Sequence, residues 1–213
     1  MSGRSVVVRK AGWIASGAAA VLVATGGITY AVTQDDGSAD TPTADSADAG
    51  FARDMAVHHQ QAVEMSFIVR DRTKNEDVRL LAYDIAQTQA NQRGMLLGWL
   101  DLWNLPKVSS DAPMTWMDMG GMASGEDGAL MPGMATNTEM AKLKKLSGKQ
   151  AEIFYLQLMT DHHKGGIHMA EGCVERCKVK VEKDIAQGMV NGQESEIGLM
   201  TDMLKERGAK PRS

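Results

Sequence analysis

The chain has 213 residues, of which 43% are hydrophobic and 23% charged, and this is enough apolar material for one buried core. All 27 acidic residues follow residue 33, and so do 23 − 3 = 20 of the basic ones, so this part of the chain carries a net charge near −7. That negative balance argues against a nucleic-acid partner and provides no polybasic patch for a membrane surface.

The N-terminal part of the chain has the pattern of a membrane segment. Residues 1–10 contain Arg4, Arg9 and Lys10, whereas residues 11–33 contain no charge. An uncharged helix of that length spans a hydrocarbon core of about 30 Å. Basic residues before it and acidic residues after it predict a cytoplasmic tail, a transmembrane helix at 11–33 and a remainder outside the cytoplasm. A cleaved signal peptide at 11–33 is the alternative, and it also implies export.

Residues 34–50 follow with small and polar side chains and no large apolar residue. Such a segment cannot bury enough apolar surface to offset the entropy lost on ordering, so the sequence predicts a disordered linker there. The folded domain is predicted to occupy residues 51–207, and a short tail is predicted at 208–213.

Apolar residues recur with the 3.6-residue period of a helix from Phe51 onwards. A first helix carries Met55, His58, Ala62 and Met65 on one stripe. This pattern predicts that the stripe faces the core of a helical domain.

Sequence signals for helix starts and ends predict the boundaries of the remaining helices in the domain. A Thr-x-x-Glu capping box at Thr73 predicts the start of a second helix, which closes before Pro106. A long loop rich in Gly and Met is expected at 107–135. A short helix and then a long one from about 148 to 172 follow two further caps, and a last helix is expected at 178–207. No stretch carries a strand pattern.

One motif occurs twice, in the first and third long helices. Residues 55–65 and 159–169 both read M-x-x-H-H-x5-M, with a constant offset of 162 − 58 = 104 residues. Four of the five histidines belong to these pairs, and His168, inside the second copy, is expected to point away from them. Duplication of a helical hairpin predicts an all-α four-helix bundle with one long crossover, in which the two histidine pairs superimpose.

Imidazole and thioether side chains on one helix stripe suggest a metal site. Both are soft-to-borderline ligands that suit Cu(I), tolerate Cu(II) and bind Mg²⁺ or Ca²⁺ poorly. A ferritin-type di-iron site is excluded because it needs Glu-x-x-His on paired helices, and neither copy has it. The predicted metal ligands, between the first and third long helices, are Met55, His58, His59, Met65, Met159, His162, His163 and Met169.

A purely structural role for the histidines is the competing interpretation. A histidine on an apolar helix face is often hydrogen-bonded to a neighbour, and methionine often only packs. The candidate hydrogen-bond partners, on the second and fourth long helices, are Gln89, Gln92, Gln193 and Glu196.

The loop at 107–135 offers a second candidate site. Exposed methionines at high density would suit weak, exchangeable Cu(I) capture, whereas the alternative is an apolar loop that lies on the bundle. The six methionines of this loop are Met114, Met117, Met119, Met122, Met131 and Met134.

The two cysteines, Cys173 and Cys177, lie four residues apart at the expected end of the third long helix. In an exported protein a disulfide is the default, provided that the helix breaks between them so that the Cα atoms come to about 5.5–6 Å. A metal site built on the two thiols is the alternative.

The doubled His-His motif, the Met-Pro-Gly-Met segment at 131–134 and the glutamine-bearing second and fourth helices resemble the domain-of-unknown-function family 305. The resemblance covers about residues 51–205. It implies a ferritin-like helical fold, export and, as in some members, copper binding, with no enzymatic activity. The Cys173 and Cys177 pair is not part of this family's core pattern.

Together these features predict a membrane-anchored copper-binding or copper-buffering protein on the periplasmic or extracellular face, and not an enzyme. The sequence has no evident nucleophile–base constellation, phosphate-binding loop or C-x-x-C motif. A helical module that docks onto a membrane or respiratory complex is the first alternative, and a metal-dependent oxidase is the second. The predicted partners are the membrane, through residues 11–33, and a membrane protein.

Overall fold

Helices form all the regular secondary structure in residues 41–120 and 126–212, which are the residues that the computed structural model describes. The α-helices are α1 (Ala47–Arg72), α2 (Glu76–Leu102), α3 (Asn137–Lys145), α4 (Gly148–Arg176) and α5 (Lys180–Glu206). Two single-turn 3-10 helices, Thr115–Met117 and Glu126–Gly128, lie in the long connection from α2 to α3. The described ranges contain no strand, which confirms the all-α prediction.

The predicted N-terminal segments lie largely outside this part of the chain. They are the tail at 1–10, the transmembrane helix or signal peptide at 11–33 and residues 34–40 of the linker. Among the described residues, no helix combines the length and the apolar character that a membrane span requires.

The first helix, α1, begins at Ala47, before the predicted domain boundary at Phe51. Ser46 caps it, because its side-chain oxygen accepts a hydrogen bond from the backbone N–H of Ala49 at 3.2 Å. Ala49 and Gly50 are buried in the first turns. Residues 47–50 therefore belong to the helix and not to the linker.

Two helical hairpins make up the domain. α1 packs against α2, α4 packs against α5, and the two hairpins meet where α1 lies against α4. The buried apolar residues form two clusters, of which one contains Met55 and Met169 and the other contains Met65 and Met159. Each cluster pairs the start of one motif with the end of the other, so α1 and α4 run in opposite directions.

Hydrogen bonds at the helix ends repeat with the same offset as the sequence motif. The Arg53 side chain donates to the carbonyl of Pro106 at 3.3 Å, and Gln157 donates to the carbonyl of Lys210 at 2.9 Å. Both partners are shifted by 104 residues, since 157 − 53 and 210 − 106 are equal. The repeat is therefore visible in tertiary contacts as well as in the sequence.

The predicted helix caps are partly correct. Thr136 and Glu139 form the expected capping box at the start of α3. Thr73 does not cap α2, because its hydroxyl donates to Glu152 at 2.5 Å, and Asn75 caps the helix instead by accepting from the N–H of Val78. The Thr73 hydroxyl therefore bonds to another helix and does not cap α2.

Candidate metal centre

The four motif histidines meet at the centre of the domain, where α1 crosses α4. Their exposed fractions are 0% for His58, His59 and His163 and 1% for His162. The rings of His58 and His162 lie with their centroids 3.8 Å apart and their planes 32° from parallel. The prediction that the two motifs come together is correct.

Backbone carbonyls set the tautomer of the inner histidine pair. The Nε2 atom of His58 lies 3.3 Å from the carbonyl oxygen of Pro132, and Nε2 of His162 lies 3.0 Å from the carbonyl oxygen of His58. A carbonyl oxygen can only accept a hydrogen bond, so each Nε2 carries the proton and donates it.

Side chains on α2 and α5 set the tautomer of the outer pair in the same way. His59 Nε2 lies 2.8 Å from Oε1 of Gln92, and His163 Nε2 lies 2.6 Å from Oε2 of Glu196. Gln92 and Glu196 are two of the four hydrogen-bond partners that the sequence proposes, and the two pairs are again related by 104 residues.

The other ring nitrogen, Nδ1, has no partner in any of the four histidines. The atoms Nδ1 of His58, His59, His162 and His163 are all buried and make no hydrogen bond. In a neutral ring whose Nε2 carries the proton, Nδ1 carries a lone pair. Buried polar atoms are nearly always paired. A histidine that ligates a metal through one nitrogen usually donates the other N–H to a carbonyl or carboxylate, which is the arrangement present here.

Burial keeps His58, His59 and His162 neutral. It lowers the pKa of His58 to about 4, and together with the positive charge that His58 would carry it lowers the pKa of His59 to about 3. Burial and the neighbouring imidazoles also hold the pKa of His162 well below its usual value. Neutral imidazole is the form that binds metals.

The motif methionines lie buried on the same two helices as the histidine pairs. Met55, Met65, Met159 and Met169 are each 0% exposed, one turn before or two turns after a histidine pair. They supply buried thioether sulfur on both sides of the α1–α4 crossing. Buried thioether sulfur therefore flanks both histidine pairs along their helices.

A site of three histidines is not assembled. In residues 41–120 and 126–212, the one group of three or more His, Cys, Asp or Glu side chains with ligand atoms all within 4.8 Å of one another is Cys173, Cys177 and Glu182. In these ranges at most two of the motif histidines therefore have ring nitrogens that close together.

The Met-Pro-Gly-Met segment closes over the histidines from the side of the long connection. Gln61 fixes it to α1, since its amide donates to the carbonyl of Ala135 at 2.8 Å and accepts from the N–H of Ala135 at 2.7 Å. Gly165 is required beneath it, because a Cβ there would lie 2.0 Å from the carbonyl oxygen of Pro132. The space beside Gly165 is thus filled by this loop.

The methionines of the long connection mostly fill the core. Met114, Met117 and Met131 are buried in the apolar cluster that contains Met55, and Met119 and Met134 pack against it half-buried. Met122 lies outside the described residues. This burial matches the apolar loop lying on the bundle more closely than a solvent-facing methionine cluster.

His168 lies apart from the four motif histidines, as the sequence predicts. It is exposed, and its Nε2 lies 3.4 Å from the sulfur of Met119.

The predicted disulfide is present. Cys173 and Cys177 are bonded, with their Cα atoms 4.8 Å apart. As expected, the helix ends between them, at Arg176, because Cys177 is the C-cap of α4 with an extended backbone, while its N–H still bonds to the carbonyl of Cys173. Beside them Glu182 is 0% exposed, and neither of its oxygens accepts a hydrogen bond. Nothing in the sequence around Glu182 distinguishes it from the exposed acids of α5.

Comparison with known proteins identifies relatives of this chain. The sequence profile of DUF305, a domain of unknown function, matches residues 48–204. The chain is 72% identical to a DUF305 protein from Streptomyces coelicolor that is thought to be secreted, over 80% of this chain and 99% of that one, with a TM-score of 0.75.

Two further solved structures are more distant. A DUF305 fragment from Deinococcus radiodurans is 28% identical, with a TM-score of 0.62 over 75% of this chain and 96% of that one. CopM in its Cu(I)-bound form is 17% identical, with a TM-score of 0.55 over 75% and 96% of the two chains. Comparison with curated proteins finds no match.

Proposed function

The chain belongs to the DUF305 family, and we propose that it is a non-enzymatic copper-binding protein that holds copper through imidazole nitrogen and thioether sulfur. The proposed ligands are drawn from the two histidine pairs and the four motif methionines. Binding or buffering of copper is the function that this arrangement supports best.

The four unpaired Nδ1 atoms carry the proposal. Each lies buried with a lone pair and no donor, while the opposite nitrogen of its ring is held by an oxygen acceptor. Leaving a buried polar atom unpaired costs about 1–3 kcal/mol, and a bound cation would remove that cost at the ligating atoms.

The donor set favours copper over other metals. Thioether and imidazole together suit Cu(I), and hard cations that prefer oxygen would find few ligands at the α1–α4 crossing. CopM, whose structure contains Cu(I), has a related fold, which supports the choice of copper.

We further propose that the domain is exported and stays attached to the membrane through residues 11–33. The basic flank of that segment and the acidic remainder support this orientation, and the relative from Streptomyces coelicolor is thought to be secreted. The proposed partners are then the membrane and a membrane protein, with no role for nucleic acid.

The architecture is proposed to be a ferritin-like four-helix bundle that arose by duplication of one hairpin. The constant offset of 104 residues in the motifs and in the Arg53 and Gln157 hydrogen bonds supports this origin. Duplication would explain why both halves contribute the same donor atoms.

Cu(I) titration against a coloured chelator tests the proposal. The double variant His58→Ala/His162→Ala should lose the tight sites, whereas His168→Ala, which removes an exposed histidine, should bind as the parent does. Urea denaturation of each protein shows whether the double variant is folded under the titration conditions.

The competing function is that of a helical module with structural histidines. A structural role is supported by the hydrogen bond that Nε2 of each motif histidine makes to an oxygen atom. If the double variant binds copper like the parent and unfolds at lower urea, the histidines are structural and the copper proposal fails.

A further inference from the structure

A gap between α2 and α5 lies next to the hydrogen-bond partners of the buried histidines. These two helices pack against α1 and α4 respectively and hardly against each other. A cavity of about 80 Å³ lies between them, lined by Gln89, Gln92, Gly188, Gly192, Gln193 and Glu196 among others. At roughly 10–15 Å³ per water molecule, it has room for a cation with several waters.

Two residues that line this groove contact the buried histidines. Gln92 and Glu196, which line it, hold Nε2 of His59 and His163. The Glu196 side chain is 26% exposed while that of His163 is 0% exposed. One carboxylate therefore faces solvent and also touches a buried imidazole.

The inner wall of the groove carries oxygen atoms without partners. Oε1 of Gln89 and Oε1 of Gln193 are buried and make no hydrogen bond, on residues that are 3% and 5% exposed. The two glutamines are related by 193 − 89 = 104 residues. Gly166 makes space for the second, since a Cβ there would lie 2.5 Å from Gln193 Oε1.

We propose that this groove is an outer cation site, at which Glu196 and the amide oxygens of Gln89 and Gln193 hold a copper ion before it passes to the buried histidines. The inference rests on the proposed copper function. Oxygen ligands bind copper less tightly than the inner nitrogen and sulfur donors. The ion therefore loses part of its water shell in the groove without being trapped there. No electron is transferred in this passage.

Gly192 allows the groove to be closed selectively. A Cβ at Gly192 meets no atom within 4 Å, so the side chain in Gly192→Leu can occupy the groove without a clash. Gly198 is equally free of neighbours on the same helix but does not line the cavity. Gly198→Leu is therefore the matched control, because both changes raise helix propensity by up to about 1 kcal/mol.

The experiment measures the rate and the extent of copper uptake separately, with the full chain. Transfer of Cu(I) from a weak coloured chelator is followed by stopped flow, and the copper bound at equilibrium is then counted. Gly192→Leu should load at least tenfold more slowly than Gly198→Leu and reach the same stoichiometry. Glu196→Gln should keep the acceptor for His163 but load more slowly and with a weaker dependence on ionic strength.

The two readouts separate the possible failures. Uptake by Gly192→Leu as fast as by the control, or an unchanged salt dependence in Glu196→Gln, would overturn the outer site while leaving the copper function intact. A parent protein that binds no copper at equilibrium would overturn the copper function and the outer site with it.

Discussion

Replacement of Glu182 by glutamine should stabilise the protein at neutral pH. Glu182 is fully buried on α5 opposite Asp48, which is 2% exposed. Burial first, and then the negative charge of Asp48, raise the pKa of Glu182 to about 9. The carboxyl is therefore protonated in the folded protein, in the neighbourhood of the Asp48 carboxylate.

The size of the effect follows from the two pKa values. A raised pKa in the folded state provides stability that is full below the unfolded value of 4.5 and is lost as the pH rises towards about 9. At pH 7 the loss is about 3 kcal/mol, from 7 − 4.5 pH units at about 1.36 kcal/mol each. Glutamine has nearly the same shape as protonated glutamic acid and never ionises, so Glu182→Gln should be about 3 kcal/mol more stable at pH 7 and nearly equal to the parent at pH 4.

Urea denaturation between pH 4 and pH 9, with the Cys173–Cys177 disulfide intact, measures this difference. Glu194→Gln changes an exposed residue of the same helix and should alter stability by less than about 0.5 kcal/mol at every pH. A Glu182→Gln variant that is no more stable than the parent at pH 7, or a difference that does not change with pH, would refute the reasoning.

Two further predictions concern the histidine centre. In the Glu182→Gln background, stability should fall as the pH drops from 6.5 towards 4, because the lowered pKa values of His58 and His59 give stability that is present only above the unfolded value. Between pH 7 and pH 5 the free energy of unfolding should fall by about 2 kcal/mol less in His59→Asn than in the Glu182→Gln background. Urea denaturation at the two pH values measures this difference. Gly165→Ala should cost about 1–3 kcal/mol, since its Cβ would meet the backbone of Pro132, whereas Gly94→Ala meets no atom within 4 Å and should stabilise α2 slightly. Equal urea midpoints for these two variants would contradict the close approach of the loop.

The fold was predicted from the helical period of the apolar residues and from the repeated His-His motif. The stripe at Met55, His58 and Met65 identifies the buried face of α1, and the second copy of the motif identifies the face of α4 that meets it. The start of α1 at Ala47 escaped prediction because Ala49 and Gly50, which are buried there, carry little hydrophobic signal.

The surroundings of the site were less predictable. The acceptor for His58 is a backbone carbonyl, that of Pro132, in a connection without helical periodicity, so no pattern of side chains points to it. Gln92 and Glu196 could be proposed because the repeat places them on facing helices. The proximity of Glu182 to Asp48 could not be predicted, because it depends on how the start of α1 packs against the start of α5.

Nitrogen-15 NMR of the imidazole rings tests the central claim most directly. In the metal-free protein, long-range ¹H–¹⁵N spectra should show protonated Nε2 and unprotonated Nδ1 for His58, His59, His162 and His163. Addition of Cu(I) should shift Nδ1 of at least one histidine on each of α1 and α4 while every Nε2 keeps its proton. Copper that binds while all eight ring nitrogens keep their metal-free shifts would contradict the account.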